Sequence, residues 1–235
     1  IGLNTGYHDN KVLYMDWVTE NYYKEIRPGG RTDIGTWGLQ CIGMFRSFQD
    51  IEEYFDKYNI TSYLGRSKDQ VRPGMLIYKD VRGPQQPDGT YAAPDGVVDA
   101  DVDQVRLSNR NNPYGVTVNL GADWKGLSFS AQLNASWGGY RIIDGEALQT
   151  GDGVEDLEFT NMPSFWNVDN MYSYQNVYDA QGNLVVAENR DGWLPNLQYQ
   201  SVNARTSSFW RVSDTRIRLS RMTLAYTIPQ NWVKK

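Results

Sequence analysis

A chain of 235 residues with 23 basic and 28 acidic side chains, net −5 at neutral pH, presents no electrostatic footprint for nucleic acid. Its single cysteine and single histidine exclude a disulfide framework, a metal centre built from cysteine or histidine, and a Ser-His-Asp triad. No run approaches the roughly 18 apolar residues of a transmembrane helix, so a membrane role has to come from strands closed into a barrel.

Ile1 to Tyr7 sets Ile1, Leu3, Thr5 and Tyr7 against Gly2, Asn4 and Gly6, which is strand period. No Met, charged n-region or apolar h-region precedes it, and the chain stops at Val233-Lys234-Lys235 straight after a turn. Both ends read as those of an internal segment of a larger protein. His8 to Lys11 reads as a turn, and Val12 to Ile26, with mixed spacing, as a loop closed by Arg27-Pro28-Gly29-Gly30. Gly35 to Phe45 is a glycine-rich strand in which Cys41 is expected to be a packed, inert thiol.

Ser47 opens the one convincing helix. It can cap, Asp50 stands three residues on, and Ile51, Tyr54 and Phe55 share a face. Pro73-Gly74 then turns the chain into a short strand, Met75 to Lys79. Beyond a Pro- and Gly-rich insert, Asp95, Asp99, Asp101 and Asp103 cluster around Gly96. Closely spaced carboxylates with a glycine for the sharp turn suit a hard, oxygen-seeking ion, and calcium is the cofactor they suggest. No Glu closes the loop as in an EF-hand, and a solvated acidic loop is the alternative reading.

The most regular stretch is Gly115 to Gly139. Val116, Val118, Leu120, Ala122 and Trp124 alternate with Thr117, Asn119, Gly121 and Asp123. After Lys125-Gly126, Leu127, Phe129, Ala131, Leu133, Ala135 and Trp137 alternate with Ser128, Ser130, Gln132, Asn134 and Ser136. That is a β-hairpin. Each arm holds the alternation for about 10 residues, the length that spans a bilayer when tilted, where globular strands run nearer 5 or 6. Trp124 and Trp137 stand near the ends of the apolar face, as interfacial aromatics do. One wall of a soluble β-sandwich is the rival reading.

Arg141 to Ser208 shows little periodicity and many turn formers, and reads as a long functional loop. Its aromatics include Trp166, Tyr172, Tyr174 and Trp193, which either staple the loop to itself or contact a substrate or a lid protein. In Ser208 to Lys235, Ile217 and Leu219 share one phase, and Met222, Leu224, Tyr226 and Ile228 the other. The switch near Ser220-Arg221 is a β-bulge signature. Arg216 and Arg218 point opposite to Ile217 and Leu219.

This last segment, SFWRVSDTRIRLSRMTLAYTIPQNWVKK, resembles the SusC/RagA-type TonB-dependent outer-membrane transporters. Their pattern is close to F-W-x-R-x-x-x-Y-L-R-L-K-N-V-T-L-x-Y-T-L-P followed by a W-L-K-K-like turn. Phe209, Trp210, Arg218, Leu219, Thr223, Leu224, Tyr226, Thr227, Pro229, Trp232, Lys234 and Lys235 stand in matching places. Arg216 replaces the usual aromatic, and Ser220-Arg221 replaces Lys-Asn. Upstream, GLQCIGMFRS, the Gln49 to Tyr54 helix, Arg72 to Asp80, the acidic stretch and Asn109 to Gly139 are similar to family segments in the same order. The insert Arg82 to Pro94 separates Asp80 from Asp95-Gly96.

The resemblance implies an all-β, antiparallel fold: part of a transmembrane β-barrel, 22-stranded in the family, with long extracellular loops and one short helix. Residues 1–235 would form a partial barrel domain of five to seven strands, without the plug domain or the final strands. It implies a Gram-negative outer-membrane importer of glycans or peptides, not an enzyme, in contact with outer-membrane lipid and energised through TonB. A SusD-like surface lipoprotein would be its partner. The short turns at Lys125-Gly126 and Pro229 to Lys235 would be periplasmic, and the loops 46–112 and 139–209 would face outside. The alternative is a secreted β-sandwich carbohydrate-binding module.

Overall fold

Alternation on both sides of a two-residue break dictates the first architecture. In the computed structural model, which describes residues 1–14, 30, 35–108, 112–143 and 168–233, Tyr114–Trp124 and Leu127–Trp137 are each 11 residues long. They pair antiparallel without a break from Tyr114↔Trp137 to Trp124↔Leu127. Lys125 and Gly126 take φ values of 49° and 86°, the two positive angles of the I′ turn that matches strand twist.

The N-terminal strand Gly2–Tyr7 pairs antiparallel on the first arm, Leu3 opposite Val118 and Tyr7 opposite Tyr114. The C-terminal strand Arg216–Tyr226, also 11 residues, pairs on the second arm. Together they make a four-stranded sheet. The C-terminal register shifts once, between Leu219 and Arg221, leaving Ser220 as the extra residue of a bulge where the phase switch predicts one. Among the described residues the sheet has four strands, and Gly35 to Phe45 pairs outside it.

The chain divides into two units. The sheet unit is Ile1–Gly35, Ser108–Arg141 and Val212–Lys235; the core unit is Thr36–Leu107 and Ile142–Arg211. Both segments of the core unit are inserted, in sequence, between strand ends opposite to the Lys125-Gly126 turn.

The core unit begins where the sequence predicts one glycine-rich strand. It is two: Thr36–Leu39, paired with Gln104–Ser108, and Cys41–Met44, paired with Leu76–Tyr78. Packing at Gly38 is what the pattern hides, since a Cβ there would lie 2.3 Å from the Thr206 carbonyl oxygen. The helix runs Phe48–Tyr58, three residues past Phe55, the last residue of the predicted apolar face. Ser47 Oγ accepts the Asp50 N–H at 3.1 Å, Asn59 ends the helix in the left-handed conformation, and Ile51, Tyr54 and Phe55 are its buried face.

That face packs with Leu39, Phe45, Tyr63, Leu76, Tyr78, Val98 and Val202 in one hydrophobic cluster. Three buried phenols keep their hydroxyls satisfied on backbone carbonyls: Tyr54 on Tyr78, Tyr63 on Leu76 and Tyr78 on Val202. Asn203 joins the unit's two segments. Its Oδ1 accepts the Leu76 N–H at 2.8 Å, and its Nδ2 donates to the carbonyls of Gly74 at 2.9 Å and Asn196 at 2.6 Å. The stretch read as a long functional loop is, over residues 168–208, a folded part of this unit, with a second cluster of Met171, Val186, Leu194 and Trp210. The predicted loop Val12 to Ile26 lies outside the described residues from position 15 onward.

Pairing is antiparallel throughout the larger elements, with one two-residue parallel pair, Ser62–Tyr63 with Val97–Val98. Over the described residues the protein is mainly β, with antiparallel sheets, one three-turn helix and two further helices of four residues.

Candidate functional site

Register decides what each face of the four-stranded sheet presents. One face carries Leu3 and Tyr7; Tyr114, Val116, Val118, Leu120, Ala122 and Trp124; Trp137, Ala135, Leu133, Ala131, Phe129 and Leu127; and Ile217, Leu219, Met222, Leu224 and Tyr226. The bulge at Ser220 is what keeps Met222, Leu224 and Tyr226 in that set, since an unbroken alternation would turn them to the other side and bring Arg221 in. On the edge strand these side chains stay in the open, Ile217 79% and Leu224 68% exposed, while Val116, Val118, Leu120, Phe129, Leu133 and Ala135 on the two central strands are half-buried and Ala131 is buried. Strands about 4.8 Å apart and up to about 33 Å long make roughly 600 Å² of apolar surface, at the upper limit of what soluble monomers leave uncovered.

Aromatic rows bound this face. Tyr7, Tyr114 and Trp137 stand opposite one another across three strands, with ring centroids 5.4 Å and 6.0 Å apart. At the turn end Trp124 and Tyr226 flank Leu127, and the Lys125 ammonium sits 5.1 Å from the Trp124 ring. Ten residue steps between the rows span about 33 Å along a strand, or about 25 Å in height at the tilt of barrel strands.

The other face carries Asn4, Thr117, Asn119, Ser128, Ser130, Gln132, Asn134 and Ser136, with Arg216, Arg218 and Arg221 opposite Ser136, Asn134 and Gln132. Thr117 donates to Asn134 Oδ1 at 2.7 Å, and Asn134 Nδ2 donates to Ser220 Oγ. At the open end Asp214 takes a two-pronged contact from Arg216, 3.0 and 2.8 Å, and a third from Arg141 at 2.9 Å. The hydrogen bond from Arg216, with the nearby charge of Arg141, holds the Asp214 carboxyl below its ordinary range.

In the core unit, the acidic loop uses its carboxylates as backbone caps. Asp103, fully buried, accepts from the Val81, Arg82 and Asp99 amides at 2.7, 3.0 and 2.7 Å. Asp99 Oδ1 accepts from Asp101 and Val102, and Asp95 Oδ1 from Val97. The calcium expected on Asp95, Asp99, Asp101 and Asp103 finds no ligand cluster: among the described residues no group of three or more His, Cys, Asp or Glu side chains is placed to hold a metal ion. Backbone amides take both Asp103 oxygens and one oxygen each of Asp95 and Asp99.

Asp80 belongs to this loop, although the insert separates it in sequence. Residues 83–92 close on themselves, with Gly83 and Ala92 amides donating to the Ala92 and Pro84 carbonyls, so Asp80 Oδ2 reaches the Gly96 amide at 2.7 Å. Asp80 is 8% exposed, and its Oδ1 has no hydrogen-bond partner among the described residues. Burial, with the charges of Asp103 and Asp95 adding, raises its carboxyl above the ordinary value. It stands in the wall of a small cavity of about 190 Å³ with Ile42, Tyr54, Tyr58, Lys79 and Pro94.

The four candidate aromatic contacts separate. Tyr172 is fully buried and its hydroxyl donates to the Arg46 carbonyl; it packs the unit and presents no surface. Tyr174 is half-buried, edge-on to Phe48 at 5.4 Å, under the Arg190 guanidinium at 4.1 Å. It lines a recess of about 170 Å³ with Phe48, Arg72, Asn196 and Tyr199. Trp193, 52% exposed, lines a different, wider cleft of about 540 Å³ with Cys41, Met44, Arg46, Ser208 and Phe209. Trp166 lies outside the described residues. Cys41 is half-buried, and burial pushes its thiol up.

No protein-family model matches this chain, and no curated protein matches it.

Proposed function

We propose that the chain is part of an outer-membrane, TonB-dependent importer of glycans or peptides of the SusC type, its four-stranded sheet forming a sector of the transmembrane β-barrel. One observation carries the reading: a continuous apolar face on four strands, left open to the surroundings and bounded by aromatic rows about 25 Å apart, the height of a barrel's lipid-facing band. A face of that kind is stable in hydrocarbon and costly in water. The outer edges of Gly2–Tyr7 and Arg216–Tyr226 have no strand partner among the described residues; further barrel strands would close them, since unpaired backbone cannot face lipid.

In this reading the polar face lines the lumen, the Lys125-Gly126 turn is periplasmic, and the inserted core unit belongs to the extracellular side, where substrate and a SusD-like lipoprotein would meet it. Trp193 and Tyr174 are the contact residues it offers. The protein moves solute without making or breaking bonds. The competing reading, a secreted β-sandwich sugar-binding module, would pack the apolar face under a second sheet, whereas Leu3, Ile217, Leu219, Met222 and Leu224 are all more than half exposed.

Expressed by itself, the 235-residue chain should require detergent or lipid to stay dispersed. A monomeric, compact and cooperatively folded chain in detergent-free buffer would overturn the transporter reading.

A further inference from the structure

Arg216, Arg218 and Arg221 form a ladder. Their cross-strand partners Ser136, Asn134 and Gln132 are successive positions on one face of the neighbouring strand, so the three guanidinium stems stand about 7 Å apart along the strand. The Ser220 bulge places Arg221 in this row, since without the extra residue it would fall on the apolar face. The ladder is also unbalanced. Arg216 is tied to Asp214, but Arg218 and Arg221 are exposed and make no ion pair among the described residues. The strand positions of this face hold one carboxylate, Asp123, which stands opposite Ser128, two strands from Arg221 and near the turn. Around the arginines are neutral hydrogen-bonding groups, Asn119, Gln132, Asn134 and Ser136. The chain as a whole is acidic, net −5, so this row of positive charge runs against its overall balance.

We propose that the Arg218–Arg221 face is a binding track for an extended acidic peptide, and that it makes the importer selective for anionic cargo. The argument is charge and spacing together. Guanidinium groups are planar forks matched to carboxylates, and charged rows along a pore wall select the opposite charge. An extended polypeptide places alternate side chains on one side at about 7 Å, the interval of the ladder, so acidic residues at i and i+2 meet Arg218 and Arg221 in register. Salt weakens such contacts. The inference rests on the transporter reading for calling this face a lumen wall.

The test uses the complete transporter in detergent micelles, with tetraglutamate, tetraglutamine and tetragalacturonate as probes and binding followed by calorimetry. Tetraglutamate should bind, tetraglutamine should bind at least tenfold more weakly, and the preference should shrink as salt rises. The double variant Arg218→Gln, Arg221→Gln should lose at least tenfold in tetraglutamate affinity and leave tetraglutamine unchanged. Equal binding of the two peptides, or an unaffected double variant, overturns the proposal. Tighter binding of tetragalacturonate than of tetraglutamate overturns the assignment to a peptide. In the same preparation, accessibility of Leu219→Cys to a lipid-phase quencher reports on the membrane reading. Quenching without anion preference sinks the ladder alone; no quenching sinks the transporter.

Discussion

Phe45 and Leu219 are both large apolar side chains beside antiparallel pairings, yet Phe45 is fully buried and Leu219 is 52% exposed. The difference lies in what each region packs against. In the core unit, short strands and one helix turn their apolar faces toward each other, and buried tyrosines and Asn203 satisfy the backbone that this packing encloses. In the sheet unit, long strands bury their backbone in the ladder and leave the apolar side chains outward. The first arrangement encloses its apolar side chains; the second leaves those of its edge strands outward.

Substitutions should split along this line. Phe45→Ala removes a ring that contacts Tyr54 and Tyr63 edge-on at 5.4 and 5.9 Å, and should destabilise the core unit by about 4 kcal/mol, as large-to-small changes at aromatic core positions do. Denaturant unfolding followed by tyrosine fluorescence checks it, and a loss below about 1 kcal/mol would mean the cluster is not the unit's core.

Leu219→Arg sharpens the contrast. At a half-exposed position in water the change should be nearly neutral, whereas at mid-height in a bilayer it should cost about 2–4 kcal/mol. Refolding of the complete protein into lipid vesicles measures it; a near-zero cost would place this face in water.

Asn203→Ala should cost the core unit about 1–3 kcal/mol, because the Leu76 amide loses its partner in a buried setting, while the Gly74 and Asn196 carbonyls keep the Asn196 and Tyr199 amides. Protection of the Leu76 amide from hydrogen exchange should fall in step. Unchanged protection would show that the segments are held together some other way.

The smallest effects separate the regions by pH. Asp80 in the core unit has a raised carboxyl, so its favourable contribution is fully present below its ordinary 3.8 and is lost as pH rises through the folded value. Asp80→Asn keeps an acceptor for the Gly96 amide and should stabilise the unit more at pH 7 than at pH 4. Asp214, lowered by its arginines, works oppositely: its contribution is present above the ordinary value and is lost as pH falls through the folded one. An Asp80→Asn gain that is the same at both pH values would contradict this assignment.

What the sequence made legible follows the same division. The hairpin, its turn, the phase switch at Ser220 and the face of the Phe48–Tyr58 helix are written in local period, and each is found. Most of the core unit is not local. Strands of two or three residues are shorter than any periodic window, and Asn203 bonds to Gly74 and Leu76 across more than 120 positions. Tyr172 reads as a loop aromatic because nothing near it in sequence shows that Leu194 and Arg46 enclose it. Asp80 and Gly96 meet because the insert between them closes on itself, a fact that spacing alone conceals. Asp95, Asp99 and Asp103 look like ion ligands from spacing, yet each caps backbone amides that a sequence does not place.

The most direct test is a cysteine and spin-label scan from Arg216 to Tyr226 in the protein reconstituted with lipid vesicles, comparing oxygen with a water-soluble nickel chelate as relaxing agents. Positions 217, 219, 222, 224 and 226 should favour oxygen and positions 216, 218, 221, 223 and 225 the chelate, with the alternation changing phase across Ser220. Uniform access of the chelate to both sets would contradict a lipid-facing sheet.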